Sequence, residues 1–275
     1  MDPGVAMTIA GSDSGGGAGL QADLKTFAAH GVFGTSVVTA VTAQNSAEVR
    51  GVHVVDPGFV DLQIEAVLSD LPVKSVKTGM LASSATVAAV ARWAAQGRLP
   101  NLVVDPVLVA STGRPLLGEG AVRSYLELLF PHALVITPNV REAALLADTP
   151  VEDVDGMVRA AHRLAETGAR AVMVKGGHLS GDRAPDVVLF EGTVHVFDGP
   201  RVTSRNDHGT GCTLSAATAA RLALGADLLD ALARAKEFVS VALQGSATWR
   251  LGAGRGPLDH FGWGPDPRAR FLTRP

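Results

Sequence analysis

Apolar residues enter this chain in short β-branched runs, separated by longer stretches in which they recur every three or four positions. The first kind of spacing predicts strands and the second predicts helices. "VAMTIAG" (5–11) reads as a strand, and "AGLQADLKTFAAHG" (18–31) as a helix closed by Gly31. A strand over 35–44 and a short one over 52–55 follow. The helix over 57–71 has Pro57 near its N-terminus and apolar residues at 60, 64, 67, 68 and 71. The pattern then predicts strand 73–79, helix 83–96, strand 101–107, helix 119–130, strand 133–139, helices 140–147 and 154–167, and strand 171–177. A hairpin over 186–199 and helices 210–224 and 227–248 precede a Pro/Arg-rich tail at about 265–275. Such alternation implies an α/β fold with a mainly parallel central sheet, helices covering both faces. No linker or repeat interrupts it, so residues 1–275 read as one domain.

Ligands of such sheets bind beyond the carboxyl ends of the strands. Here those ends carry Gly11-Ser12-Asp13, Gln44-Asn45, Thr78-Gly79-Met80, Asp105-Pro106, Thr137-Pro138-Asn139 and Lys175-Gly176-Gly177. Composition narrows the chemistry. Hydrophobic residues make up 47% and aromatics only 5%, with 31 glycines, which suits helices packed closely on a sheet. A formal charge of −3 gives no general pull toward nucleic acid or an anionic membrane. The single cysteine excludes a disulfide framework, and no signal-peptide pattern or long apolar span is present. A cytoplasmic protein is expected.

Two glycine loops invite chemistry. "GSDSGGGAGLQAD" (11–23) contains G-x-G-x-x-A between a strand and a helix, but the end of the next strand carries Gln44 where a dinucleotide site needs an acid. Asp23 near the following helix start has a plain alternative, favourable interaction with the helix dipole. No G-x-x-x-x-G-K-[ST] occurs, and the eight histidines show no zinc-binding spacing. "HGTGCTLSAA" (208–217) is more telling. Gly209, Thr210 and Gly211 turn the chain so that N–H groups and a helix N-terminus form an anion site. Cys212 at that terminus should ionise easily, as nucleophile or general base; the plain alternative is a packed cysteine.

These residues, with "TIAGSDSGGGAGLQADLKTFAAHG", "VVTAVTAQN", "VKTGML", "VVDPVLVASTG", "ITPNVREAALL", "VMVKGGHL" and "GRGPLDHF", run nearly end to end. The chain resembles the hydroxymethylpyrimidine/phosphomethylpyrimidine kinases, of the ribokinase-like superfamily. The resemblance implies a three-layer α/β/α sandwich, a homodimer, and ATP- and Mg2+-dependent phosphorylation of 4-amino-5-hydroxymethyl-2-methylpyrimidine and then its monophosphate; it leaves open a monovalent cation. It implies that Gln44 reads the pyrimidine edge, Asp23 contacts the ring, Met80 and Val107 wall it, and Gly11 closes over it. Asp105, Thr137, Asn139, Glu142, Lys175 and His208 fall to ATP and magnesium, with Asp105 and Glu142 the metal carboxylates. Gly209, Thr210, Gly211, Cys212 and Lys175 form the anion hole and catalytic centre, Cys212 as base. The rival readings are a pyridoxal/pyridoxine kinase of the same superfamily, a non-catalytic binding protein on this fold and, more distantly, an NAD enzyme. Two segments, 109–118 and 176–186, read as candidate lids.

Overall fold

A computed structural model describes residues 2–108 and 120–263. The candidate lid 109–118 and the Pro/Arg-rich tail lie outside them. The strands are β1 (Val5–Ser12), β2 (Phe33–Gln44), β3 (Val49–Val54), β4 (Ser75–Thr78), β5 (Leu102–Val104), β6 (Val135–Ile136), β7 (Ala171–Lys175), β8 (Asp186–Phe190) and β9 (Thr193–Phe197). They form one sheet in the order β3-β2-β1-β4-β5-β6-β7-β8-β9. From β2 to β7 every neighbouring pair is parallel. The edges are antiparallel: β3 on β2, and the expected 186–199 hairpin as β8 and β9.

The helices are α1 (Gly19–Ala29), α2 (Pro57–Asp70), α3 (Ser84–Ala95), α4 (Ala121–Ser124), α5 (Val140–Leu146), α6 (Val154–Ala165), α7 (Thr210–Ala223) and α8 (Leu228–Ser246). Period-two alternation along the strands sorts the core into two halves. Met7, Ile9, Val104, Ile136 and Val174 point to the face covered by α2, α3, α5 and α6. Ala6, Val103, Val135 and Met173 point to the face covered by α1, α7 and α8. That second face is built with small residues: Ala216, Ala217, Ala219 and Ala220 of α7 are fully buried, which brings α7 close to the sheet centre.

Two expectations shorten. The helix over 119–130 is α4 followed by a π stretch (Tyr125–Leu129), in which the Phe130 N–H reaches back to the Tyr125 carbonyl, and a 3-10 turn (Phe130–His132). Pro131 lacks an N–H and crowds the preceding turn, so a regular α-helix does not continue there. The strand over 133–139 contracts to Val135–Ile136, because Thr137-Pro138-Asn139 turns directly into α5. The consequence for function is geometric: β1, β2, β4, β5, β6 and β7 deliver their polar carboxyl ends to one rim.

Candidate active site

The glycine loop after β1 is organised by Asp13. Its carboxylate accepts the N–H groups of Gly15 (2.8 Å), Gly17 (3.1 Å) and Ala18 (2.9 Å). His208 Nε2 lies 3.0 Å from the same carboxylate. Burial pushes Asp13 up, but these hydrogen bonds and the imidazole outweigh it and hold the carboxyl below its ordinary value. Ser14 grips the main chain of Gln44, its hydroxyl donating to the Gln44 carbonyl (2.7 Å) and accepting the Gln44 N–H (2.8 Å). The Gln44 side chain lies between His208 Nε2 (3.2 Å) and Thr42 Oγ1 (3.3 Å). Gly11 and Met80 meet, since a Cβ on Gly11 would lie 2.3 Å from Met80 Cε. Val107 is half-buried beyond the end of β5.

The second loop closes onto the first. Gly209 sits in the left-handed region at φ 90°, and a Cβ there would lie 1.9 Å from the Gly17 carbonyl oxygen. Only glycine permits that approach. Helix α7 starts immediately afterwards, leaving the Gly211 and Cys212 N–H groups without intrahelical partners. Thr210 differs: its N–H and hydroxyl both turn back to the Asp207 carbonyl, at 3.3 and 2.6 Å. It therefore shapes the loop and contributes little to the anion hole expected of it.

Under this helix start lies an ion pair. Lys175 donates to Asp105 Oδ1 at 2.7 Å, both side chains nearly enclosed. A Cβ on Gly211 would sit 3.2 Å from the Lys175 ammonium, so lysine and helix terminus face the same spot. Thr137 and Ser215 donate to the Asp105 carboxylate from 3.3 and 3.4 Å. Thr137 is fully buried, so it braces Asp105 instead of touching a nucleotide. Asn139 and Glu142 form a capping box on α5: the Asn139 side chain accepts from the Glu142 N–H, and Glu142 accepts from the Asn139 N–H. Desolvation, with Asp105 adding its charge, pushes the Glu142 carboxyl up to about 7 despite Lys175. A desolvated carboxyl that also feels the charge of a second carboxylate suits a divalent cation. Among the described residues no three His, Cys, Asp or Glu side chains form a closed metal cage. Magnesium commonly uses one or two carboxylates and completes its shell with water and phosphate oxygens, which the Asp105 and Glu142 pair fits.

Three expectations are corrected. Asp23 does not face the cleft: it is fully buried, pairing with Lys77 at 2.8 and 3.0 Å and accepting the Thr8 hydroxyl at 2.6 Å. His208, assigned to ATP and magnesium, has its ring against Gln44 and Asp13. Finally, the Cys212 thiol is not easier to ionise. Burial pushes it up to about 11, and the charges of Asp23 and Asp105 add to that against the opposing pull of Lys77 and the Gly19 N–H. The helix dipole loses to desolvation. Sequence reasoning also missed Asp13 and Lys77. An aspartate opening a glycine loop, and a lysine inside the apolar run "SVKTG", were the available signals.

The phosphomethylpyrimidine kinase family model matches residues 13–259. The chain belongs to that family. It is 49% identical to a hydroxymethylpyrimidine/phosphomethylpyrimidine kinase of Rhizobium meliloti over 259 residues, covering 94% of this chain and 97% of that one. The pyridoxal kinase of Bacillus subtilis, solved with ADP, superposes with a TM-score of 0.88 at 35% identity over 95% of this chain and 98% of that one. Phosphomethylpyrimidine kinase from Clostridium difficile gives 0.77 at 38% identity, over 87% and 99%. The fold is thus the three-layer ribokinase-like sandwich. No helix among the described residues is long and apolar enough to cross a membrane.

Proposed function

We infer that this rim carries out two successive phosphorylations, the first at a hydroxymethyl oxygen and the second at the phosphate so formed, giving a diphosphate. The chain is an ATP-dependent phosphotransferase of thiamin biosynthesis. Its substrates are 4-amino-5-hydroxymethyl-2-methylpyrimidine and then the monophosphate. The observation that carries the assignment of roles is the meeting of Lys175, Asp105 and Gly211 directly beside Cys212, across from the loop holding Gln44. Gln44 reads the ring edge, with Gly11, Met80 and Val107 around it. The Gly211 and Cys212 N–H groups and the Lys175 ammonium hold the migrating phosphoryl charge. Magnesium, when bound, neutralises charge on the transferring phosphates; Asp105 and Glu142 are the side chains placed to hold it, directly or through water. In the first transfer Cys212 takes the hydroxyl proton. With its thiol raised to about 11, only about one molecule in 10⁴ carries thiolate at neutral pH, so the step draws on a minor ionised form and its rate climbs with pH.

Phosphate transfer from ATP–Mg to the aminopyrimidine, its monophosphate and pyridoxine, compared side by side, tests the reading. Preferred transfer to pyridoxine would instead place the chain with the pyridoxal kinases that share its fold. Exchange of potassium for sodium in the same assay tests the monovalent-cation requirement that the resemblance leaves open. The homodimer draws support from exposed apolar side chains on the edge strand β3 (Val52 and Val54), on the opposite sheet face at Val41 of β2, and on α2 (Phe59, 57%, and Leu62, 58%). Sedimentation of Phe59→Glu/Leu62→Glu, expected to run as a monomer, tests it.

A further inference from the structure

The Gln44 amide touches two neighbours, and a second partner fixes what each can offer it, a lone pair from Thr42 and a shared N–H from His208. Thr42 Oγ1 lies 2.9 Å from the Ser12 carbonyl oxygen, which can only accept. The hydroxyl has one hydrogen, so toward Gln44 it presents a lone pair. On the other side His208 Nε2 lies 3.0 Å from Asp13 Oδ2. Asp13 also takes the Gly15, Gly17 and Ala18 N–H groups and is an ionised, acceptor-only carboxylate. The ring nitrogen facing it must therefore carry hydrogen. A ring N–H cannot accept from an amide NH2, and a hydroxyl lone pair cannot pair with an amide carbonyl. Both ends demand the same arrangement: Gln44 carbonyl toward His208, Gln44 NH2 toward Thr42. A half-turn of the amide reaches it without steric cost, because its two ends have nearly the same shape. The Gln44 main chain, pinned by Ser14, cannot swing to undo the choice.

An unrestrained glutamine reads either polarity of edge by flipping. A locked one reads only one. With one N–H and one carbonyl lone pair still free, Gln44 matches an edge whose ring acceptor lies on the Thr42 side and whose exocyclic donor lies on the His208 side. A 4-aminopyrimidine presents a ring nitrogen acceptor beside an amino donor. The 4-oxo counterpart presents the reverse, a ring N–H beside a carbonyl. We propose that Asp13, His208 and Thr42 are positioning residues that lock the Gln44 amide in one polarity and so select an aminopyrimidine over its oxo analogue. The inference rests on the reading that Gln44 faces the pyrimidine.

The test compares kcat/KM for 4-amino-5-hydroxymethyl-2-methylpyrimidine and for its 4-oxo analogue in wild type, His208→Leu, Thr42→Val and Gln44→Ala. Release of the lock at either end lets the amide turn, so both His208→Leu and Thr42→Val should cut the amino-over-oxo preference by about tenfold or more, part of it as an absolute gain on the oxo compound. Equal losses on both substrates, with the preference unchanged, would mean that these residues only support the loop, and the proposal falls. Gln44→Ala separates the underlying assumption: if pyrimidine KM is unchanged there, Gln44 does not read the ring at all. Should one positioning variant fail to fold, the other acts from the opposite end of the amide. Imidazole ¹⁵N shifts of wild type give an independent answer: hydrogen on His208 Nε2 is expected, and a neutral ring protonated only on Nδ1 overturns the lock.

Discussion

Replacing Lys77 by methionine should come close to unfolding this protein. The ammonium lies 2.8 and 3.0 Å from the two oxygens of Asp23, and neither side chain is exposed to solvent. Asp23 holds the lysine firmly in its charged form, while burial, with the charge of Asp105 adding to it, pushes the Asp23 carboxyl up against the pull of Lys77 and the Thr8 hydroxyl. Methionine keeps most of the volume but leaves a carboxylate with one hydroxyl donor. Breaking a buried pair from one side typically costs about 3–5 kcal/mol, against a total stability of roughly 5–15 kcal/mol for a protein domain. Asp23→Leu should cost a similar amount by stranding the ammonium. Together, Lys77→Met and Asp23→Leu remove both charges and leave only the Thr8 hydroxyl without its partner, about 1–3 kcal/mol. Urea unfolding of the four proteins measures the cycle. A coupling of about 3 kcal/mol or more is expected, with the double variant more stable than either single one. If the two losses simply add, or if Lys77→Met costs less than about 1 kcal/mol, the pair is not desolvated as described. The double variant also carries a functional readout. Lys77 eases ionisation of Cys212 and Asp23 opposes it, so removing both charges together should leave the pH dependence of phosphate transfer close to that of wild type, and a large shift would mean that only one of the two charges reaches the thiol.

The other predictions concern the rim and its supports. Cys212→Ser should fold and bind both substrates, yet lose about 10²–10⁴-fold in phosphoryl transfer measured in a single turnover; wild-type rates should rise about tenfold per pH unit through neutrality, and a flat profile would remove the thiolate from the mechanism. Gly209→Ala forces a side chain onto the Gly17 carbonyl in a left-handed backbone, so it should separate the two loops, with pyrimidine KM and transfer rate both impaired and an unaltered enzyme arguing against the contact. His260, buried against the Thr213 hydroxyl at 3.0 Å, is held down to about 4 by desolvation and Lys25. Between about pH 6.5 and 4 the unfolded chain binds a proton that the folded one refuses, so acidification through that window should remove about 3 kcal/mol of stability, a slope that His260→Gln should flatten. Glu142 has the opposite sign: its raised carboxyl keeps a proton in the folded state, so stability without divalent cation should fall as pH rises from about 4.5 to 7. Added magnesium should accordingly raise Tm more at pH 8 than at pH 5.5, and Glu142→Gln should abolish the difference.

The layers, the parallel centre and the polar rim were legible because they follow from periodicity and from which residues end each strand. The Gln44, Asp105 and Lys175 positions are of this kind, each fixed by a strand terminus. What sequence order does not show is which strands become neighbours, and there the reading went astray. Asp23 and Lys77 are 54 residues apart and meet only because β4 inserts beside β1, under α1. Yet each was individually out of place. Asp23 shares a helical stripe with Leu20 and Phe27, both buried, and Lys77 lies in a strand buried along its whole length. A charge on a buried stripe needs an opposite charge on another, so the two anomalies together contained the pair. The same logic corrects the view of Cys212. A helix N-terminus favours thiolate only where solvent or positive charge completes its environment. Here burial and the charges of Asp23 and Asp105 outweigh Lys77 and the Gly19 N–H, and the thiol keeps its proton.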